Sequence, residues 1–265
     1  MSNNTVYAIQ SPLSHIKFEF KKITNTHTLT MKIRIILTLL ALPIAGHTET
    51  HISYGLHHGA GYFEHDSDSN VSAATVSISH KVNAKHQLKL SSGYNKINHK
   101  ENKQEDEGIA DTSLSHRYRQ LLGKNHLIDI KSKIKFPTAN EDKNLGTGKH
   151  DFTLGISQYN RISDFWILSE ISHKWRGDND NRKMENGYSA KLGISSITKA
   201  KTSGGGFLSY HEASSNRTTE RKEITGYLSY RKSKQLKSTL YVIHGLSEAS
   251  PQWAGGIQIK QSFDF

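Results

Sequence analysis

Lys131, Lys133 and Lys135 stand two residues apart, with Asp129 ahead of them in the same series. Arg117 and Arg119 repeat the interval, Lys174 and Arg176 repeat it again behind Glu170, and Lys191 and Lys260 fill matching places in their own segments. Cations at this spacing can do one of two things. They can attract and pass anions, or they can neutralise carboxylates held beside them. Nucleophilic chemistry is the alternative use of this chain's side chains. Ser209 and His211 share a parity, and Ser113 and Ser115 lie near His116, but no nucleophile motif surrounds any of them. Serine is abundant, so chance pairings are expected, and the chain is not expected to be an enzyme. The 16 histidines raise a metal site. His57 and His58 are adjacent, so on a strand they face opposite ways, and His65 stands between Glu64 and Asp66 with no second cluster at ligand spacing. Neither a metal nor a cofactor is expected. There is no cysteine, which removes disulfides and thiolate ligands.

A two-residue interval belongs to a β-strand, whose successive side chains point to opposite faces. In LIDIKSKIKF the charged series alternates with Ile128, Ile130, Ser132, Ile134 and Phe136. Phe152, Leu154 and Ile156 form one face of DFTLGIS. Tyr188, Ala190, Leu192 and Ile194 do the same in YSAKLGIS. In FWILSEISHKW, Phe165, Ile167, Ile171 and Trp175 oppose Glu170, Lys174 and Arg176. GGIQIKQSFDF puts Ile257, Ile259, Phe263 and Phe265 on one parity. No sustained helical period interrupts the pattern, so the chain is read as all-β. The strands fall near 51–65, 71–83, 86–98, 109–122, 126–137, 151–162, 165–176, 188–198, 204–213, 223–232, 236–247 and 254–265.

The connections between these strands alternate. Longer polar loops such as DSDSN, KENKQEDEG and TANEDKNLGTGKH take turns with short ones such as NAK, GKN and ISD. A transmembrane β-barrel has this layout, with strands of about 10 residues, apolar outside and polar inside, and short turns at the periplasmic end. The expected architecture is therefore an antiparallel barrel of about 12 strands, an even number. Its last strand closes against its first, because lipid cannot satisfy an open sheet edge. The charged series then faces the lumen: Arg117, Arg119, Asp129, Lys131, Lys133, Lys135, Glu170, Lys174, Arg176, Lys191 and Lys260.

Ahead of the strands lies MKIRIILTLLALPIAGHTET. Lys32 and Arg34 precede a short apolar core, Ile35 to Ile44, and the small residues Ala45, Gly46 and Thr48 follow. This is the order of a secretory signal peptide, and the core is shorter than the roughly 20 residues of a comfortable helical span. The division of the chain is accordingly 1–30 as an upstream stretch ahead of the native start at Met31, 31–48 as signal peptide, and 49–265 as the barrel. Lys plus Arg total 35 against 24 Asp plus Glu. With exported strands, that excess suits an anionic lipid surface or a basic channel, and no nucleic-acid partner is expected.

Lys135 to Ser157, KFPTANEDKNLGTGKHDFTLGIS, resembles a motif of the outer-membrane proteins called the MetA-pathway of phenol degradation family. Pro137 and Thr138 stand in place, then Leu145, Gly146, Thr147, Gly148 and Asp151; Ala139 replaces the usual glycine. KWRGDND, NGYSAKLG and the C-terminal HGLSEASPQWAGGIQIKQSF are similar to the same family. The resemblance runs from about Lys131 to the C-terminus. It implies an outer-membrane barrel of a Gram-negative bacterium, transporter-like, passing small or hydrophobic compounds. Phe263 and Phe265 resemble the terminal signal read by the β-barrel assembly machinery, which is then a biogenesis partner alongside outer-membrane lipids and a small solute. For the loop carrying the motif, two readings stand: a constriction folded into the pore, and a hydrated loop with a structural turn. For the lumen charges, two more stand: an anion-favouring lining, and a salt-bridged plug. A lipase or esterase barrel is the enzymatic alternative.

Overall fold

The computed structural model describes residues 49–61, 68–101, 103–143, 145–177, 184–196, 201–216 and 218–264. The signal peptide, the stretch before it, Phe265, and His65 with Glu64 and Asp66 lie outside the described residues. The strands are β1 (Glu49–Gly61), β2 (Ser69–Lys81), β3 (His86–His99), β4 (Glu105–Ile109), β5 (Thr112–Leu121), β6 (His126–Phe136) and β7 (Asp151–Ile162). They continue as β8 (Phe165–Arg176), β9 (Gly187–Ser196), β10 (Thr202–His211), β11 (Arg221–Arg231), β12 (Leu236–Gly245) and β13 (Pro251–Asp264). Each pairs antiparallel with its sequence neighbour, apart from β4 and β5, which both pair with β3. The sheet closes where β1 meets β13, from Glu49↔Asp264 to Ala60↔Trp253. Because β4 and β5 share one place beside β3, the closed barrel has twelve strand positions.

Alternation becomes an inside-out distribution of polarity. The exterior carries the large apolar side chains, including Leu56 at 62% exposed, Ile130, Ile156, Ile171, Leu192, Leu228 and Leu240. Apart from Pro251, the most enclosed side chains are polar: Asp129 and Ser157 are fully buried, and Ser229 nearly so. A water-soluble barrel would show the opposite. Here the exterior is a belt that matches hydrocarbon, while closure satisfies the backbone groups that hydrocarbon cannot. Near the loop end the belt gains aromatic contacts: Phe152 stacks on Trp175 at 5.4 Å, and His173 meets Trp175 and Tyr188 at 4.4 Å each. Such rings suit the membrane–water interface.

Two expected boundaries are corrected. The fourth strand, read as an unbroken 109–122, is split, and part of the KENKQEDEG loop is itself the strand β4. The cause is local. Asp111 leaves the ladder, its carboxylate accepting from the Ala139 amide at 3.1 Å and pairing with Lys135 at 2.9 Å. Thr138 fills the gap: its hydroxyl accepts from the Thr112 amide at 2.7 Å and donates to the Ala110 carbonyl at 3.2 Å. The last strand begins at Pro251 rather than at 254. Proline is tolerated as the first residue of a strand, and it sits opposite the irregularity at Ala60/Gly61. Gly61 adopts φ 136°, where a side chain would collide with the backbone of Pro251 and Gln252.

Candidate functional site

The barrel register arranges the charged series into one patch of wall. Across β5, β6, β7 and β8 the matched rows run Arg119↔Asp129↔Ser157↔Glu170 and Arg117↔Lys131↔Gly155↔Ser172. Residues that are partners in register share a face, so all of these lie inside with the buried Asp129 and Ser157. Arg119 grips Asp129 through two bonds of 2.7 Å, and the Arg117 guanidinium stands 4.0 Å from the same carboxylate. Lys131 donates to Glu170 at 2.5 Å, and the Ser157 hydroxyl donates to that carboxylate at 2.6 Å. Towards the loop end, Lys135 lies between Asp111 at 2.9 Å and Asp151 at 3.3 Å, and Lys174 meets Asp151 at 3.0 Å.

Other interior cations differ. Lys89, Lys133, Lys237 and Lys260 have no carboxylate partner within ion-pair distance among the described residues, and Lys89 and Lys133 are exposed to the lumen. Lys191 places its ammonium 4.5 Å from the Phe207 ring centroid, a cation–π contact. Arg176, at the loop end of β8, donates to the Glu185 carbonyl at 2.5 Å.

Among the described residues, recesses open in the lumen wall. One, of about 300 Å³, is lined by Lys89, Arg117, Lys131, Lys133, Glu170 and small polar side chains such as Ser115. Another, of about 510 Å³, is lined by Arg119, Tyr159, Trp166, Leu168, Phe207 and Tyr227. Aromatic bulk is accommodated on this side by glycine. Tyr227 lies across Gly205, and a Cβ at Gly205 would come 2.8 Å from the tyrosine hydroxyl. That hydroxyl donates to Ser195 at 2.6 Å.

The loop bearing Pro137 to Asp151 reaches back to the barrel's interior rim. Thr138 spans the β4–β5 break, Leu145 is buried, and the Leu145 amide donates to the Asn140 carbonyl at 3.2 Å. Gly146 lies where a Cβ would come 2.9 Å from the Asp111 carboxylate oxygens. The Thr147 hydroxyl accepts from the interior Lys135 ammonium at 2.9 Å. Gly148 adopts the left-handed φ of 66°, a conformation that favours glycine. Asp151 then opens β7 with its two lysines. The motif residues therefore meet at the loop-end mouth.

Of the pairs considered for other chemistry, His57–His58 and Ser113–His116 separate, while Ser209 and His211 share a face of β10. His57 turns inward, its ring nitrogen 3.0 Å from the Tyr241 hydroxyl, whereas His58 pairs with Ser72 at 2.9 Å on the exterior. His116 points outward onto His86 at 2.9 Å, and Ser113 points inward onto Ser91 at 2.9 Å. Ser209 is buried on the interior face, two residues from His211. Lys89, Asp111 and the Tyr159–Trp166–Phe207 group are additions to the residues singled out from sequence. Lys89 had a usable signal, since it opposes Leu88 and Leu90 in HQLKL. The aromatic group had none, because Trp166 and Leu168 sit in an apolar run whose two faces look alike.

This closed, apolar-belted barrel has the fold of an outer-membrane β-barrel. The chain matches no protein-family model and no curated protein. Its fold is similar to that of the COG4313 outer membrane channel from Pseudomonas putida F1, with a TM-score of 0.68, 15% identity, and coverage of 84% of this chain and 97% of that one. The KdgM porin is similar at a TM-score of 0.56 and 13% identity, covering 80% of this chain and 99% of that one. The NanC porin follows at 0.53 and 9%, covering 82% and 100%. At these identities the likeness is one of fold.

Proposed function

We propose that the barrel is a passive outer-membrane channel for small solutes, with a preference for anions. The observation that carries this reading is the pair of interior lysines, Lys89 and Lys133, which open onto the lumen with no carboxylate partner among the described residues. Paired charges largely cancel at a distance, but unpaired ones leave a positive potential that raises the local concentration of anions. The channel and porin folds of its structural neighbours agree with this use, and no reaction is assigned to the chain. The loop from Pro137 to Asp151 narrows the mouth, because Thr147 is bonded to an interior lysine. The recess with Tyr159, Trp166 and Phe207 suits solutes with an apolar portion.

A second reading has its own support. The Arg119–Asp129, Lys131–Glu170 and Asp111–Lys135–Asp151–Lys174 pairings are what a salt-bridged plug would contain. Planar-bilayer recording separates the two. A channel gives discrete conductance steps with a reversal potential on the anion side in a KCl gradient. A plugged barrel, folded by heat-modifiable gel migration, gives none.

A further inference from the structure

The smaller recess has the makings of a binding site rather than a mere stretch of lining. Four cations border it, Lys89, Arg117, Lys131 and Lys133, against the single carboxylate of Glu170. That carboxylate is already engaged by Lys131 and Ser157. Of the other acids in this wall, Asp129 is fully buried and held by two bonds to Arg119, and Asp151 is held by Lys135 and Lys174. Lys89 and Lys133 are therefore in excess. They flank Ser115 in one matched row, Lys89↔Ser115↔Lys133. Neighbouring strands lie about 4.8 Å apart, so the two lysine backbones are about 10 Å apart, a span their long side chains can close from both sides.

Arg117 supplies an independent sign. Its Nε is buried and lacks a hydrogen-bond partner. A buried donor left unpaired is costly, more so on a charged group. An oxyanion between Lys89 and Lys133 brings acceptor oxygens to the guanidinium and charge to both ammonium groups. Ser115, Ser172 and Thr153 line the same space and add hydroxyl donors.

We infer that this recess is a binding subsite for a small dianionic oxyanion, a phosphate or a short dicarboxylate, so that the lumen is a saturable path rather than a plain aqueous pore. The site belongs to the lumen of the proposed channel, but its occupancy can be measured whether or not the barrel conducts. A dianion engages both excess lysines at once, while a monoanion leaves one unpaired.

The purified barrel in detergent micelles is titrated with inorganic phosphate, and binding is read from broadening of the phosphorus resonance. Succinate and acetate serve as competitors. Phosphate should broaden saturably, succinate should displace it, and acetate should displace it only at far higher concentration. Lys89→Gln and Lys133→Gln should each weaken binding by about tenfold or more, the scale of one lost charged hydrogen bond. Lys234→Gln, in the turn between β11 and β12, should leave it unchanged. Each variant is checked for folding by heat-modifiable migration. If one lysine variant fails to fold, the other carries the test. Phosphate binding that succinate does not displace assigns the site to phosphate within the same chemistry. Broadening that is linear with concentration, or equal in both lysine variants and the native barrel, overturns the subsite. Loss of conductance with binding intact would instead count against the channel reading alone.

Discussion

Two walls of the same interior solve the problem of polarity differently. Between β5 and β8 the wall is built from charges, held by carboxylates one or two strands away. Across β11, β12, β13, β1 and β2 it is built mainly from hydroxyls, glycines and the two tyrosines Tyr227 and Tyr241. Ser229 bonds Thr239 at 2.8 Å, His51 bonds Ser262 at 2.9 Å, and Tyr241 lies over Gly256 while bonding His57. Both walls satisfy polar groups inside an apolar belt. A field arises where cations outnumber acids, at Lys133 in the charged wall with Lys89 beside it, and at Lys237 and Lys260 in the other. The hydroxyl wall makes little demand on space. It also carries charges: the Glu49–Lys81 and Arg221–Glu223 pairs, and Lys237 and Lys260, which face each other in register near the turn end.

Substitutions can break or sharpen this contrast, beginning with the belt that both walls share. Ile130 is exterior and 45% exposed, next in sequence to the interior Asp129 and Lys131. Ile130→Arg should lower unfolding stability in lipid by about 2–4 kcal/mol if the site lies near the bilayer midplane. Lys133→Glu, on the interior, should leave the barrel folded. Urea titration in vesicles compares the two, and equal stabilities would mean the faces are reversed.

Within the charged wall, Asp129→Ala removes the shared acid of Arg117 and Arg119. Breaking a buried pair costs about 3–5 kcal/mol. The low end applies here, because the two arginine side chains keep 30% and 32% of their exposure while Asp129 keeps none. The hydroxyl wall should respond less. Ser229→Ala loses one neutral hydrogen bond and should cost about 1 kcal/mol. Comparable losses in the two variants would dissolve the distinction between the walls.

The charged wall was legible in the sequence because a lysine every second residue among isoleucines has only one place in a membrane barrel. The apolar belt and most strand limits followed from the same alternation. The hydroxyl wall was not legible. Serine, threonine and glycine sit on either face of a strand, and only the register joins Ser229 to Thr239. Which cations are paired was equally hidden: Lys131 and Lys133 look equivalent in LIDIKSKIKF, yet Glu170, two strands away, reaches one and not the other. The split of the fourth strand was obscured because its cause, Thr138, lies on another segment.

That distinction between Lys131 and Lys133 leads to the most direct test of an anion-favouring lumen. The reversal potential is recorded across a planar bilayer, in a tenfold KCl gradient, for the native barrel and for Lys133→Glu. The native barrel should reverse on the chloride side. Lys133→Glu should move the potential towards the potassium side, with little change in folded yield. A native barrel that prefers potassium, or one whose reversal potential is unmoved by Lys133→Glu, would contradict the account.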